Sequence, residues 1–275
     1  MIRKTITTTL RTGADVWTMT RASQRDDVPR LFPGACLRMF DHHLHISGIL
    51  PRRRSSETDP YRMYDHAWLC ASQTVMVKPY ATLLDVEDVT SHVWVTHVGN
   101  SSLQLGNALM VNDQTLLATA QRVFVRFGAK FQESEQKQWQ ETCGPEPVQQ
   151  EQMQPLLPVL RRFDASVWKS DLSVSSPSIW TVPVGPAHVN FGGHADHAFL
   201  AETAHHALWA STQKKPNKQT DSTTLAVNYL AEVSLVDTLH CHRLGEDMIV
   251  MTKQPTSPSG SDAELVPVLV AQLES

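Results

Sequence analysis

Residues 190–202 read Asn-Phe-Gly-Gly-His-Ala-Asp-His-Ala-Phe-Leu-Ala-Glu, and the rest of the chain is best read outward from them. Two glycines, Gly192 and Gly193, stand where a helix is expected to begin, running from Gly193 to Ala210. A helix start presents unsatisfied N–H groups and the positive end of the macrodipole, and glycines let a ligand approach that backbone closely. Asp196 falls in the first turn, where the dipole favours an acid in any case. Glu202 lies eight residues after His194, about two turns on, so the two can share a face.

Around this helix the sequence expects strands at 178–184, 223–232, 238–244, 248–253 and 265–273. The first half shows the same order. A strand is expected at Val16–Thr20, then a helix from Pro33 or Gly34 to Gly48, punctuated by proline and glycine in the usual way. Strands are expected at 66–78, 88–98, 101–111 and 115–127; within them VWVTHV and RVFVRF alternate apolar and polar side chains, as half-buried antiparallel strands do. Each half is thus strand, helix and four strands, an internal duplication of element order. One helix in an antiparallel unit must bury its apolar side on the sheet. Two such units packed edge to edge continue the sheet and cover an exposed edge. The organisation expected is a unit at 14–130, a Gln/Glu/Pro-rich linker at 131–173 and a second unit at 174–275. Residues 51–60, 211–222 and 254–262 read as loops.

The chain of 275 residues is 41% hydrophobic and 19% charged, enough apolar content for a core and far from a disordered composition. A net charge of −4 gives no sign of a nucleic-acid backbone partner. The 4 cysteines, Cys36, Cys70, Cys143 and Cys241, form no C-x-x-C pair, which excludes a zinc knuckle and points to reduced thiols. No apolar run approaches the roughly 20 residues of a spanning helix. Arg3, Lys4 and Arg11, with many hydroxyls and no acid before Asp15, suit a mitochondrial or plastid transit segment; an ordinary polar N-terminus of a cytoplasmic protein is the alternative.

The segment Asn190 to Leu200, with Glu202, resembles the helix-entry motif of hotdog-fold thioesterases, Asp-x-x-Gly-His-Val-Asn-Asn-x-x-Tyr followed by a glutamate. Leu225 to Leu239, with Tyr229 and Asp237, looks like the following hotdog strand, and Leu83–Val89 with Val98-Gly99-Asn100-Ser101-Ser102 looks like later strands of that fold. The resemblance covers about residues 14–128 and 174–273. It implies an α+β double hotdog in which each unit is a long helix wrapped by an antiparallel sheet, with the paired units forming an internal pseudo-dimer and further dimerisation left open. It also implies hydrolysis of acyl-CoA or acyl carrier protein thioesters without a cofactor. The implied catalytic residues are Asn190, His194, Asp196 and Glu202, and the implied substrate-binding residues are Gly192, Gly193 and His197.

The departures set up a second expectation. The family's aspartate is Asn190 here, an amide that cannot take a proton; Asn190 would then orient water, with Asp196, Glu202 or His194 as base. The motif asparagines are replaced by Asp196 and His197 and the tyrosine by Leu200, and the first-half helix entry has Ala35 in place of histidine. Read as decay, these changes leave a non-catalytic subunit of a large organellar protein or ribonucleoprotein assembly of the mitochondrial ribosome type. Other clusters carry less. His42, His43 and His45 cannot all face one ion from a helix, His205–His206 and His240–His242 have no partner pair, and no metal site is expected. Arg52–Arg54 read as a solvated loop that could meet a CoA phosphate.

Overall fold

The computed structural model describes residues 5–11, 33–47, 50, 68–78, 88–111, 115–126, 130–141, 157–169, 172, 177–189, 193–212, 222–254 and 265–274. The first unit comprises β1 (Thr5–Arg11), α1 (Pro33–Ser47), β2 (Trp68–Val77), β3 (Asp88–Val98), β4 (Ser102–Val111) and β5 (Thr115–Arg126). Two short helices follow, α2 (Glu133–Glu141) and α3 (Ala165–Trp168). The second unit comprises β6 (Trp180–Pro183), α4 (His197–Thr212), β7 (Thr223–Tyr229), β8 (Thr238–Leu244), β9 (Met248–Lys253) and β10 (Val266–Glu274).

All ten strands form one antiparallel sheet in the order β1-β3-β4-β5-β2-β7-β10-β9-β8-β6. Each unit therefore threads its strands identically, and the two meet where β2 pairs β7, from Ser72 opposite Asn228 to Val77 opposite Thr223. The pairing converts two edges into the centre of a continuous sheet. Both helices lie on one face, and one core runs across both units through Leu37, Phe40, Val75, Leu200, Ala204 and Leu225. Their crossing is close because Gly34 has no side chain: a Cβ there would sit 2.9 Å from Cβ of Glu202. Ala198, Ala201 and Ala204 give α4 a small buried face of the same kind, so backbone can approach backbone.

The α+β double hotdog expected from the sequence is what forms. The strands at 88–98, 238–244 and 248–253 keep their expected bounds, and the other described strands move by a few residues. The expected Val16–Thr20 strand lies outside the described residues; the first strand is Thr5–Arg11, ahead of the expected unit start at residue 14, with Thr5 opposite Trp94 and Arg11 opposite Asp88. The second-unit helix begins at His197 and not at Gly193. Gly193 adopts φ +78°, and His194 and Ala195 form isolated β-bridges to Ser234 and Val189, so the chain turns before it coils.

The linker is more built than its composition suggests. Trp139 of α2 is buried against Leu103, Phe124 and Phe131, and Arg126 holds Glu135 by two bonds of 2.9 Å. Residues 157–169 then pass over the sheet face opposite the helices. Leu157 packs on Trp94 and Met110, the Arg161 N–H donates to Thr74 Oγ1 at 3.3 Å, and Trp168 packs on Val250 and Val270. The Asn228 amide, oriented to suit its neighbours, accepts from the Phe163 N–H at 2.7 Å. This segment staples both units at the junction. Among the described residues, no helix is long and apolar enough to cross a membrane.

Candidate functional site

The N-terminus of α4 points into the junction. Asp196 caps it, its carboxylate accepting the Ala198 N–H at 2.8 Å, and the entry is held by a stack of His188 on Phe199 at 4.1 Å. The next residue, His197, places its Nε2 2.8 Å from Oδ1 of Asp41 on α1. The same Asp41 oxygen accepts from Arg122 on β5, whose side chain is entirely buried and lies 4.9 Å over the Phe124 ring. Phe124 meets the His197 ring edge-on at 5.9 Å. From β7, the Tyr229 hydroxyl donates to the His197 carbonyl oxygen at 2.6 Å and itself accepts from Gln73 of β2. Gln73 stands opposite Arg122 in one pairing and opposite Val227 in the next. The cluster therefore draws on α1, β2 and β5 of the first unit and on α4 and β7 of the second.

Its charges are fixed by these contacts. Burial pushes the Asp41 carboxyl upward, but Arg122 and then His197 outweigh it and hold the group below the usual carboxylate range. Burial likewise works against the charge on Arg122, and Asp41 more than offsets that, so a cation persists inside the protein. Burial raises the Tyr229 phenol well above its ordinary value, keeping it a donor, and raises the Cys70 thiol to about 12, which excludes a thiolate nucleophile. His197 Nε2 faces both Asp41 Oδ1, at 2.8 Å, and the Arg122 Nη2 donor; in the tautomer that donates to Asp41 the ring carries its lone pair on Nδ1. The His197 side chain is 26% exposed, so water can reach it.

The structure distributes the sequence-derived candidates differently. Asn190 and Gly192 lie outside the described residues. His194 pairs its Nδ1 with Glu232 at 2.7 Å on the surface, away from the Asp41–Arg122 contacts. Because the helix starts after it, His194 does not share a helical face with Glu202. Asp196 serves as the cap, 3.8 Å from His197 Nδ1. Glu202 is buried where the helices cross and is ion-paired with Arg38 of α1. Of the described candidates, His197, expected to touch substrate, sits in the cluster, and Asp196 lies at its edge. Asp41, Gln73, Arg122 and Tyr229 were not anticipated as a site. One signal was available for Arg122, which follows Ala118 and Ala120 at every second position along the inward side of β5.

One ligand atom each from Asp41, Asp196 and His197 lies within 4.8 Å of the others, a spacing that could suit a cation. The donor set fits one poorly: the buried Arg122 guanidinium already neutralises Asp41, and the Asp196 oxygen is engaged by the helix backbone. Of the first-half histidines, His43 contacts Ser91 Oγ at 2.7 Å.

No family model matches the chain, and neither does any curated protein. Solved structures do. An acyl-ACP thioesterase from Bacteroides thetaiotaomicron is 13% identical with a TM-score of 0.60 over 98% of each chain. A 12:0-ACP thioesterase from Umbellularia californica is 13% identical with a TM-score of 0.63, over 100% of this chain and 98% of that one. HtdX from Mycobacterium tuberculosis is 12% identical with a TM-score of 0.52 over 98% of each chain. At such identity the likeness speaks for fold. The chain adopts a double-hotdog fold shared with the two thioesterase structures over nearly its whole length.

Proposed function

We propose that the chain hydrolyses acyl thioesters of CoA or acyl carrier protein at the junction of its two units. The observation that carries this reading is the Asp41–His197 pair at the α4 N-terminus, assembled from both units and open to water. His197 Nδ1 takes a proton from water as the oxygen attacks the thioester carbon, while Asp41 holds the ring and stabilises the imidazolium. The developing oxyanion is stabilised by the positive end of the α4 dipole. Collapse breaks the C–S bond, the imidazolium returns its proton to the leaving thiolate, and a carboxylic acid and a free thiol result. The similarity to acyl-ACP thioesterases supports an acyl carrier as the partner.

The test is release of free thiol from acyl-CoA and acyl-ACP panels of graded chain length. The reading expects turnover of at least one panel member, abolished in His197→Ala. Folded wild-type protein that releases thiol from none of them refutes it.

A second reading rests on a specific observation: Asp41 is engaged by Arg122, Asp196 by the helix backbone and Glu202 by Arg38. On that reading the polar groups hold the fold, and the protein is a non-catalytic subunit of an organellar assembly, as the basic N-terminus would suit. Absence of turnover together with co-sedimentation with a large mitochondrial complex supports it.

A further inference from the structure

Asp41 holds the ring of His197, and a separate set of groups holds its backbone. The Tyr229 hydroxyl lies 2.6 Å from the His197 carbonyl oxygen. A carbonyl oxygen only accepts, so the phenol proton points at it and a phenol lone pair is left for Gln73, whose Nε2 donates there. Gln73 Oε1 in turn accepts from the Cys70 thiol, with sulfur and oxygen 3.8 Å apart. The polar atoms of both side chains are thereby engaged. Burial keeps the phenol protonated and hence a donor.

The fold alone does not call for these bonds. Carbonyls at the start of an α-helix are met from within the helix, and His197 is the first residue of α4, so its oxygen needs no partner from β7. Gln73 is wholly buried on β2, in line with the apolar Val75 and Val77 at every second position. A leucine there, facing a phenylalanine, would pack without any polar group to satisfy. Gln73 also stands directly opposite Arg122 in the β2–β5 pairing. Arg122 reaches Asp41, which holds the His197 ring, and Gln73 reaches Tyr229, which holds the His197 backbone. One cross-strand pair of the first unit therefore supports a single residue of the second at two points. The rings of Phe124 and Tyr229 flank the imidazole edge-on, at 5.9 and 6.0 Å.

Resting on the hydrolase reading, we propose that Gln73 and Tyr229 are positioning residues for His197. They take no part in bond making. Their relay pins the first turn of α4 to the first unit, so the imidazole is already seated on Asp41 when water and the thioester arrive. Misplacing a reacting group by about 1 Å can cost on the order of 100-fold in rate, and a base set in advance avoids that loss. Substrate binding does not use these atoms, so their removal acts on kcat and leaves KM in place.

The experiment measures kcat and KM for thiol release by wild type and by Gln73→Leu/Tyr229→Phe, together with the thermal midpoint of each. The double variant removes both partners of the relay while keeping their approximate shapes. Expected are a fall in kcat of about tenfold, a KM within about twofold of wild type and a midpoint close to wild type. Tyr229→Phe alone serves where the double variant does not fold. An unchanged kcat, or one that falls only in step with the midpoint, overturns the inference and leaves hydrolysis standing. If no thioester is turned over, the hydrolase reading fails by itself. The ring N–H signal of His197, read in protein with isotopically labelled histidine and assigned by its loss in His197→Ala, then decides. A signal that is sharp in wild type and exchange-broadened in the double variant supports the positioning role, and one that is the same in both overturns it.

Discussion

Asp41 Oδ1 and His197 Nε2 lie 2.8 Å apart although 156 positions separate them in the chain. One residue belongs to the helix of the first unit and the other to the helix of the second, so neither unit holds the pair alone. The antiparallel β2–β7 junction and the close helix crossing at Gly34 make the contact possible. Duplication of the fold thus creates a place that one copy lacks.

The Asp41–Arg122 pair should behave as a buried ion pair whose halves depend on one another. Asp41→Leu leaves a cation with no neutralising partner inside the protein and should cost about 3–5 kcal/mol. Arg122→Met should cost a similar amount by stranding the carboxylate. The double variant should recover most of either loss, since a buried pair can be replaced by apolar side chains at little net cost. Urea unfolding of the four proteins measures the cycle. Simple addition of the two losses would show that the pair is not coupled.

Gly34 sets the spacing of the two helices. In Gly34→Ala the new Cβ meets Cβ, Cγ and Cα of Glu202 at 2.9, 3.0 and 3.1 Å, two of them close to the backbone. The helices must shift, and overpacking of this sort costs about 1–3 kcal/mol. A lower thermal midpoint, accompanied by a weaker Arg38–Glu202 contact, is expected. An unchanged midpoint would mean that the crossing yields freely.

His205 gives α4 an acid-sensitive point. Burial, reinforced by His206, pushes its pKa down from 6.5 to about 3. The folded protein keeps this ring neutral while the unfolded chain protonates near 6.5, so the contribution is complete above that pH. It is lost progressively as pH falls from 6.5 toward about 3. His205→Phe, which retains an aromatic ring beside Trp209, should flatten the stability profile in that window. Identical pH slopes for the two proteins would contradict the assignment.

The buried cysteines should be chemically silent. Burial raises the thiols of Cys70 and Cys241 to about 12 and that of Cys36 further still. In a Cys143→Ser background, native protein at pH 8 should therefore show no thiol reactive toward a disulfide reagent until denaturant is added. Rapid reaction of a native thiol would place one of these side chains in a different environment.

Most of the architecture was legible in the sequence because alternation and helix punctuation are local signals. VWVTHV and RVFVRF marked β3 and β5, and Pro33 marked the start of α1. Two features were hidden for physical reasons. The start of α4 depends on the Gly193 turn, on a bridge to Val189 and on one to Ser234, the last a contact distant in sequence. The linker looked solvated by composition, yet Trp139 and Trp168 bury it on the sheet. The candidate site was less legible than the fold. Motif spacing drew attention to His194, Asp196 and Glu202, which the structure uses as a surface pair, a cap and a helix clamp. Asp41 and Arg122 acquire meaning only when two strands and two helices bring them together.

The account's central claim is that the inter-unit pair is where acyl thioesters are cleaved, and a comparison of two histidines tests it most directly. Thiol release is measured for wild type, His197→Ala and His194→Ala on the same acyl thioester. The account predicts a loss of about 100-fold or more in kcat for His197→Ala, the scale of a missing general base, and wild-type turnover for His194→Ala. Turnover that survives in His197→Ala and disappears in His194→Ala would move the chemistry to the exposed His194–Glu232 pair and contradict the account.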